Sequence, residues 1–220
     1  MTLTAHILPG RNSLNKQRGV VLFFALIALL AMSLAAVALI RSVDTSTLIA
    51  GNLAFKQAAT SSGDAGVDAA IDWLAATQTA NPPSVVNVFS DATHPFNNTG
   101  GTVGFENPAY YSSVDNTSLT NGTGFQWDDD DSMLVGTDSS GNTVRYIIQR
   151  MCRNANQPIN TADCLFSGAI EDGNGKAVPN STEVCSGSGC PAAGQTPQIR
   201  VTARTTGPNN TISYVQAFVY

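Results

Sequence analysis

An apolar run that begins abruptly at one glycine constrains this chain more than any other feature. In "QRGVVLFFALIALLAM" (17–32) a basic, polar leader meets uncharged residues at Gly19. The run continues from Val20 to Ile40, about 21 residues, with Ser33 its only polar member. A helix crosses a bilayer with roughly 20 residues, so the run is long enough to span one. It exceeds the roughly 7–15-residue core of a secretory signal, and no small-x-small cleavage site follows it. Two readings remain: a plain membrane anchor, or a helix whose leader is cut away at its front end.

Flanking charge gives the orientation. Arg11, Lys16 and Arg18 precede the run, and Arg41 is the one cation just after it. That asymmetry places the N-terminus in the cytoplasm and the body outside. The chain has a net charge of −5, and residues 1–19 hold three cations and no acid, which leaves −8 on the rest. An acidic body excludes nucleic acid as a partner, because phosphate binding needs a basic face. Charged residues make up only 12% of the chain, low for a cytosolic protein, and Gly, Ser, Thr and Asn crowd the second half instead.

Four cysteines, Cys152, Cys164, Cys185 and Cys190, lie in the last third. An even count in an exported domain reads as disulfides. Sequential pairing, Cys152 with Cys164 and Cys185 with Cys190, closes two short loops and is favoured, although four cysteines allow three pairings. A zinc site is disfavoured, since there is no CxxC pair and no histidine near them. No cofactor is expected.

Past the membrane run, no proline occurs until "NPP" at 81–83. Leu48, Ile49, Leu53, Val67, Ile71 and Leu74 keep helical spacing, beside an acidic stripe of Asp64, Asp68 and Asp72. The expectation is one long helix, continuous or slightly broken, over 20–77. Gly51, Gly63 and Gly66 weaken it by about 1 kcal/mol each relative to Ala. Its last third needs a partner for Val67, Ile71, Trp73 and Leu74, most simply a sheet.

Residues 81–143 are turn-rich and read as loops with short strands, Val85–Phe89 being the best strand candidate. Then "TVRYIIQRM" (143–151), "QIRVTAR" (198–204) and "TISYVQAFVY" (211–220) run or alternate apolar. The "TTGPNN" turn makes the last two a hairpin. Val144, Tyr146 and Ile148 share one face, as do Ile199, Val201 and Ala203. The fold expected is α+β: the long N-terminal helix packed on a small antiparallel sheet of three or four strands.

Taken together, the leader ending "QRG", the abrupt apolar helix, the stalk "RSVDTSTLIAGNLAFKQAATSSGDAGVDAAIDWL" and the strand "VRYIIQRMC" resemble the PilX-type minor pilins of type IV pili. The similarity covers 16–77 well and the C-terminal strands and cysteines more loosely. It implies four parts: a prepilin leader (1–19), a membrane and fibre-core helix (20–40, with Val20, Phe24 and Ile40 on it), a helical stalk (41–80) and an extracytoplasmic β-rich head with variable loops (81–220). It implies cleavage after Gly19 by a prepilin peptidase and methylation of Val20 as the new N-terminus. Membrane lipid, the inner-membrane assembly platform, other minor pilins and the major pilin are the implied partners. The implied location is a single pass of the bacterial inner membrane and then the surface fibre, serving adhesion and twitching motility. Major pilins carry a glutamate at the fifth mature position, where this chain has Phe24. A buried carboxylate in an apolar helix needs a partner, which in the family is a neighbouring subunit's amino terminus. Its absence points to a place at or near the tip, priming assembly.

The same residues also admit other classes. The apolar run alone fits a simple single-pass anchor. A type II secretion pseudopilin would share leader and helix, and a tip adhesin would bind through the 81–143 loops. Asp128–Asp131 could hold calcium but reads better as a solvated loop. "DGNGKAVPNSTE" (172–183) matches an EF-hand loop at Asp172, Asn174, Asn180 and Glu183, and Lys176 and Ala177 break it. The Asn-x-Ser/Thr triplets read as Asn-rich turns. Trp73 and Trp127 read as core or helix–sheet contacts, with an adhesive patch around Trp127 the alternative. Past the leader the sole histidine is His94, and GxSxG, HExxH and P-loop motifs are absent, so no enzyme is expected.

Overall fold

The computed structural model describes residues 19–114, 126–168 and 195–220. The leader ahead of Gly19, the "NTS", "NGT" and "NST" triplets, the 172–183 segment, Cys185 and Cys190 all lie outside the described residues. One α-helix, α1 (Val20–Ala80, 61 residues), takes in both the apolar run and the stalk, and Gly51, Gly63 and Gly66 do not break it. It stops where two prolines withdraw the next backbone donors. Asn81 closes its end, since both its N–H and its side-chain amide donate to Thr77 O (3.1 and 2.9 Å).

By compactness the chain divides into two units, 1–51 and 52–220. In the first, the described residues are helical from Val20 onward, and every residue from Gly19 to Ala50 is exposed.

The second unit contains the 52–80 part of α1 and a five-stranded sheet. Its strands are β1 (Tyr110–Tyr111), β2 (Met133–Thr137), β3 (Thr143–Arg150), β6 (Ile199–Thr206) and β7 (Ile212–Val219). A short helix α2 (Ile159–Ala162) and a two-residue ladder of β4 (Phe166–Ser167) with β5 (Thr196–Pro197) fall between β3 and β6. The order is β1-β3-β6-β7, and β2 shares the β3 edge with β1. The expected hairpin forms as β6–β7, in register from Ile199↔Val219 to Thr206↔Ile212.

Three expectations change. The sheet is mixed, because β1 runs parallel to β3 (Tyr110↔Ile148) while every other pairing is antiparallel. It has five strands, because β1 and β2 carry too few alternating residues to stand out in the sequence. Val85–Phe89 forms turns and a bend, not a strand. Val85 and Val86 N–H both donate to Pro82 O (2.8 and 3.1 Å), and Asn87 accepts from Phe89 N–H, which curls the segment locally.

The core sits between helix and sheet. Ala59, Gly63, Gly66, Ala70, Leu74 and Thr77 form the buried stripe of α1, spaced at three and four residues. Four of the six are Gly or Ala, so the helix backbone lies close to the strands. A Cβ at Gly63 would come 2.6 Å from Val215 Cγ2, and one at Gly66 would come 2.8 Å from Ala203 Cβ. Of the strand residues the alternation picked, Val144, Tyr146, Ile148, Val201 and Ala203 are buried and Ile199 is half-buried against the core. Of the helix residues expected on the sheet, Leu74 is buried, Val67 and Trp73 are half-buried against the core, and Ile71 remains 39% exposed.

Candidate functional site

The helix at Gly19–Ile40 offers its surface rather than a pocket. Gly19 is a turn residue with open space around its Cα, and Val20 is the first residue of α1. From Val20 to Ile40 each large apolar side chain is exposed, between 47% at Ile27 and 71% at Met32. The first turn contains no acid. Ser33, the one polar residue, donates its hydroxyl to Leu30 O (2.8 Å), so no side-chain donor faces outward unmet. Thr45, Ser46 and Thr47 repeat this with the carbonyls of Arg41, Ser42 and Val43. This helix is long and apolar enough to cross a membrane. Phe24 is 64% exposed and its ring lies edge-on to that of Phe23 at 6.3 Å.

In the head, part of the segment read as loops is buried, around residues 94–97 and 107–110. Pro95 starts a 3-10 turn over Pro95–Asn97, and His94, Phe96 and Asn97 are buried with it. Arg150, 1% exposed at the end of β3, holds this turn in place. It donates to Asn97 Oδ1, to Ser112 O (2.9 Å) and to Gln157 O (2.7 Å). Asn97 passes the connection on, donating to Val88 O (2.8 Å) and Asp91 O (2.7 Å). Tyr110 OH donates to Phe96 O (2.7 Å), and burial pushes that phenol up to about 12. Trp73 of α1 packs on the Tyr110 and Phe96 rings, at 5.2 and 5.9 Å. Each acceptor of Arg150 is neutral, and burial holds its pKa below the usual guanidinium range.

His94 belongs to the same turn. Its Nδ1 accepts from Phe96 N–H (3.1 Å), so the neutral ring carries its proton on Nε2. Burial is the main cause that holds its pKa below the usual histidine range. The Asn81 backbone and the Asp91 carboxylate oppose that shift, and the Arg150 charge adds to it.

The remaining candidates fall in separate places. Cys152 and Cys164 are bonded, which ties the end of β3 to the chain just after α2. The Asp128–Asp131 turn uses its carboxylates at home: Asp128 Oδ1 accepts from Asp130 and Asp131 N–H, Asp131 Oδ2 from Gln126 N–H, and Asp129 pairs with Arg145. Among the described residues no three His, Cys, Asp or Glu side chains converge as metal ligands would. Trp127 packs on the sheet face opposite the helix, 6.0 Å from the Tyr214 ring and with the Arg204 guanidinium 5.8 Å over its own. Asp64, Asp68 and Asp72 are exposed, as a solvated helix face would be. An apolar groove of about 430 Å³ lies at one end of the head, walled by Ile71, Leu74, Phe89, Ile159, Ile199 and Val219.

Sequence reasoning missed two polar contacts that shape the head. One is the Arg150 network. The other joins α1 to the turn between β2 and β3: Asp138 accepts from Ser62 Oγ and from the Asn142 backbone and side chain, and these bonds lower its carboxyl pKa to about 2. The "DSSGN" turn between β2 and β3 signalled the local half of that contact. Its partner on α1 left no local signal. A scan against family models finds no match, and searches of curated proteins and of solved structures likewise return none.

Proposed function

We propose that this chain is a minor pilin of a type IV pilus, made as a prepilin and cut after Gly19. The observation that supports this best is the apolar surface of Val20–Ile40. It is uncovered on all sides and belongs to the same hydrogen-bonded helix whose 52–80 part forms the core of the head. An ordinary anchor needs only the first of these properties. A fibre subunit needs both, because the same helix must sit in lipid, then pack among other helices, and carry a folded head.

In this reading a prepilin peptidase cleaves on the cytoplasmic side and methylates Val20. The assembly platform then moves the helix from lipid into the fibre core, beside other minor pilins and the major pilin. Phe24 stands where a major pilin presents its carboxylate, so the subunit makes no charge contact with a preceding amino terminus. That favours a place at or near the tip, where it primes assembly. The head's buried turn network and disulfide suit an exported, surface-exposed domain.

Mass spectrometry of the chain from membranes and from sheared surface fibres tests the reading. A methylated Val20 N-terminus in the fibre fraction is the expected result. A chain that retains Met1 in the membrane and never enters fibres would reduce it to an anchored extracytoplasmic protein.

A further inference from the structure

The chain between α1 and β1, residues 81–109, contains no strand, yet His94, Phe96 and Asn97 in it are buried. His94 holds this turn from inside. Its Nδ1 accepts from Phe96 N–H, and its carbonyl accepts from Asn97 N–H (2.8 Å) and from the Asn98 side-chain amide (3.2 Å). Its ring lies 5.1 Å from that of Phe96. The residue is wholly buried, and its Nε2 has no partner at hydrogen-bonding geometry. The Asn81 backbone favours a charge there without closing that bond.

The surroundings of the ring suit only its neutral form. β3 brings Arg150, whose own charge opposes a second one and whose acceptors are all neutral. β1 brings Tyr110, un-ionised at neutral pH, with its hydroxyl donated to Phe96 O. α1 has no charged side chain after Asp72. The one carboxylate that favours a charged ring is Asp91, and it already accepts from Thr93 N–H and Oγ1 (2.8 and 2.7 Å). A second proton goes to Nδ1, since Nε2 already carries one. That proton removes the acceptor of Phe96 N–H and puts a cation beside a buried guanidinium that has no counter-ion.

We infer that residues 81–98 form an acid-released latch: protonated His94 leaves its enclosure, and the segment opens while the sheet and its helix stay packed. The release is local because the latch lies outside the main contacts of the head. It is held by Arg150 on Asn97, by Tyr110 OH on Phe96 O and by Asn160 N–H on Phe89 O (3.0 Å). The eight-residue β3–β6 ladder and the seats of Gly63 and Gly66 on Val215 and Ala203 include none of its residues. Opening has a consequence for the apolar groove. Val88, Phe89 and Phe96 are part of its wall, so acid bares the lining that Ile71, Ile199 and Val219 contribute. The inference goes beyond the pilin reading and does not depend on it.

Hydrogen exchange of the purified full chain in detergent, at about pH 7.5 and 5.5 and corrected for intrinsic rates, tests it. Among the described residues His94 is the one side chain that ordinarily titrates in this range. Opening seen at the Phe96 and Asn97 amides should increase several-fold on acidification. About tenfold is the most that one histidine with an unfolded pKa near 6.5 can give. At both pH values these amides should exchange at least about tenfold faster than those of Ile147 and Thr202, which pair at the centre of the β3–β6 ladder. His94→Asn keeps an acceptor for Phe96 N–H and should abolish the pH response of the latch. Three results would overturn the inference: latch amides whose protection ignores pH, a pH response that survives in His94→Asn, or latch and ladder amides exchanging in step, which is global unfolding. The first and last are read on the wild-type chain, so they decide even where the variant fails to fold.

Discussion

A Cβ added at Gly66 would lie 2.8 Å from Ala203 Cβ and 2.9 Å from Val144 Cγ1, whereas one at Gly51 would meet nothing within 4 Å. The two glycines therefore answer to different constraints, although each costs the same helix propensity. Gly66→Ala should lower head stability by about 1–3 kcal/mol through overpacking, more than the roughly 1 kcal/mol that propensity returns. Gly51→Ala should raise helix stability by up to about 1 kcal/mol. Thermal unfolding of each variant, followed by circular dichroism, separates the two signs. His94 makes a second prediction at this scale. Its folded pKa lies below the unfolded value, about 6.5. The unfolded chain therefore binds the extra proton first as pH falls. The head should hold full stability above about pH 6.5 and lose it progressively below, before carboxylates titrate. Denaturant midpoints at about pH 7.5 and 5.5 measure this. His94→Asn keeps an acceptor for Phe96 N–H and has no titrating ring, so its two midpoints should coincide.

Arg150 and Ser62 act between elements. Arg150→Met leaves Asn97 Oδ1, Ser112 O and Gln157 O without their donor, at a cost of about 1–3 kcal/mol for each buried acceptor left unmet. Arg150→Lys should recover little, because an ammonium cannot address three acceptors set around a planar fork. Equilibrium unfolding of both variants checks the order. Ser62 bridges α1 to the β2–β3 turn through Asp138 and Asn142. In Ser62→Ala the Asp138 carboxyl should rise from about 2 toward the ordinary value near 3.9, which carboxyl-carbon NMR titration reads directly. At neutral pH that carboxylate stays ionised in both proteins, so the difference appears only in acid. These contacts also mark how far the sequence could be read. The apolar helix, β3 and the β6–β7 hairpin were legible because each has a period of its own within a few residues. The inward faces of β3 and β6 followed from alternation alone. β1 is too short to have a period, and its parallel pairing depends on where the Asn107–Tyr110 turn delivers it. The burial of His94–Asn97 was hidden because an arginine more than fifty residues later creates it. The exposed apolar surface at Val20–Ile40 was legible in full, and β7's place at the end of the sheet order was not, since a sequence does not say which strand ends a sheet.

At the scale of the whole molecule, the proposed pilin reading makes position in a fibre the property to test. Phe24→Glu restores the carboxylate that the resemblance expects at the fifth mature position. If the missing charge is what keeps the subunit at the tip, labelled mutant protein should appear along fibre shafts, seen by immunogold counting. A mutant confined to the tips would show that other surfaces fix its place. The arrangement of the head also sets the order in which it can fold. Gly63 and Gly66 of α1 rest on Val215 and Ala203, and these belong to β7 and β6. The packing of the 52–80 helix is thus completed by strands more than a hundred residues later in the chain. Until β6 arrives there is no sheet centre, β3 lacks its long partner, and the small-residue stripe of α1 faces water. Closing contacts so distant in sequence is intrinsically slow. In the proposed pilin reading, export would therefore end before the head folds, and the chain would wait at the membrane tethered and open to proteolysis, with its anchor as the one finished part.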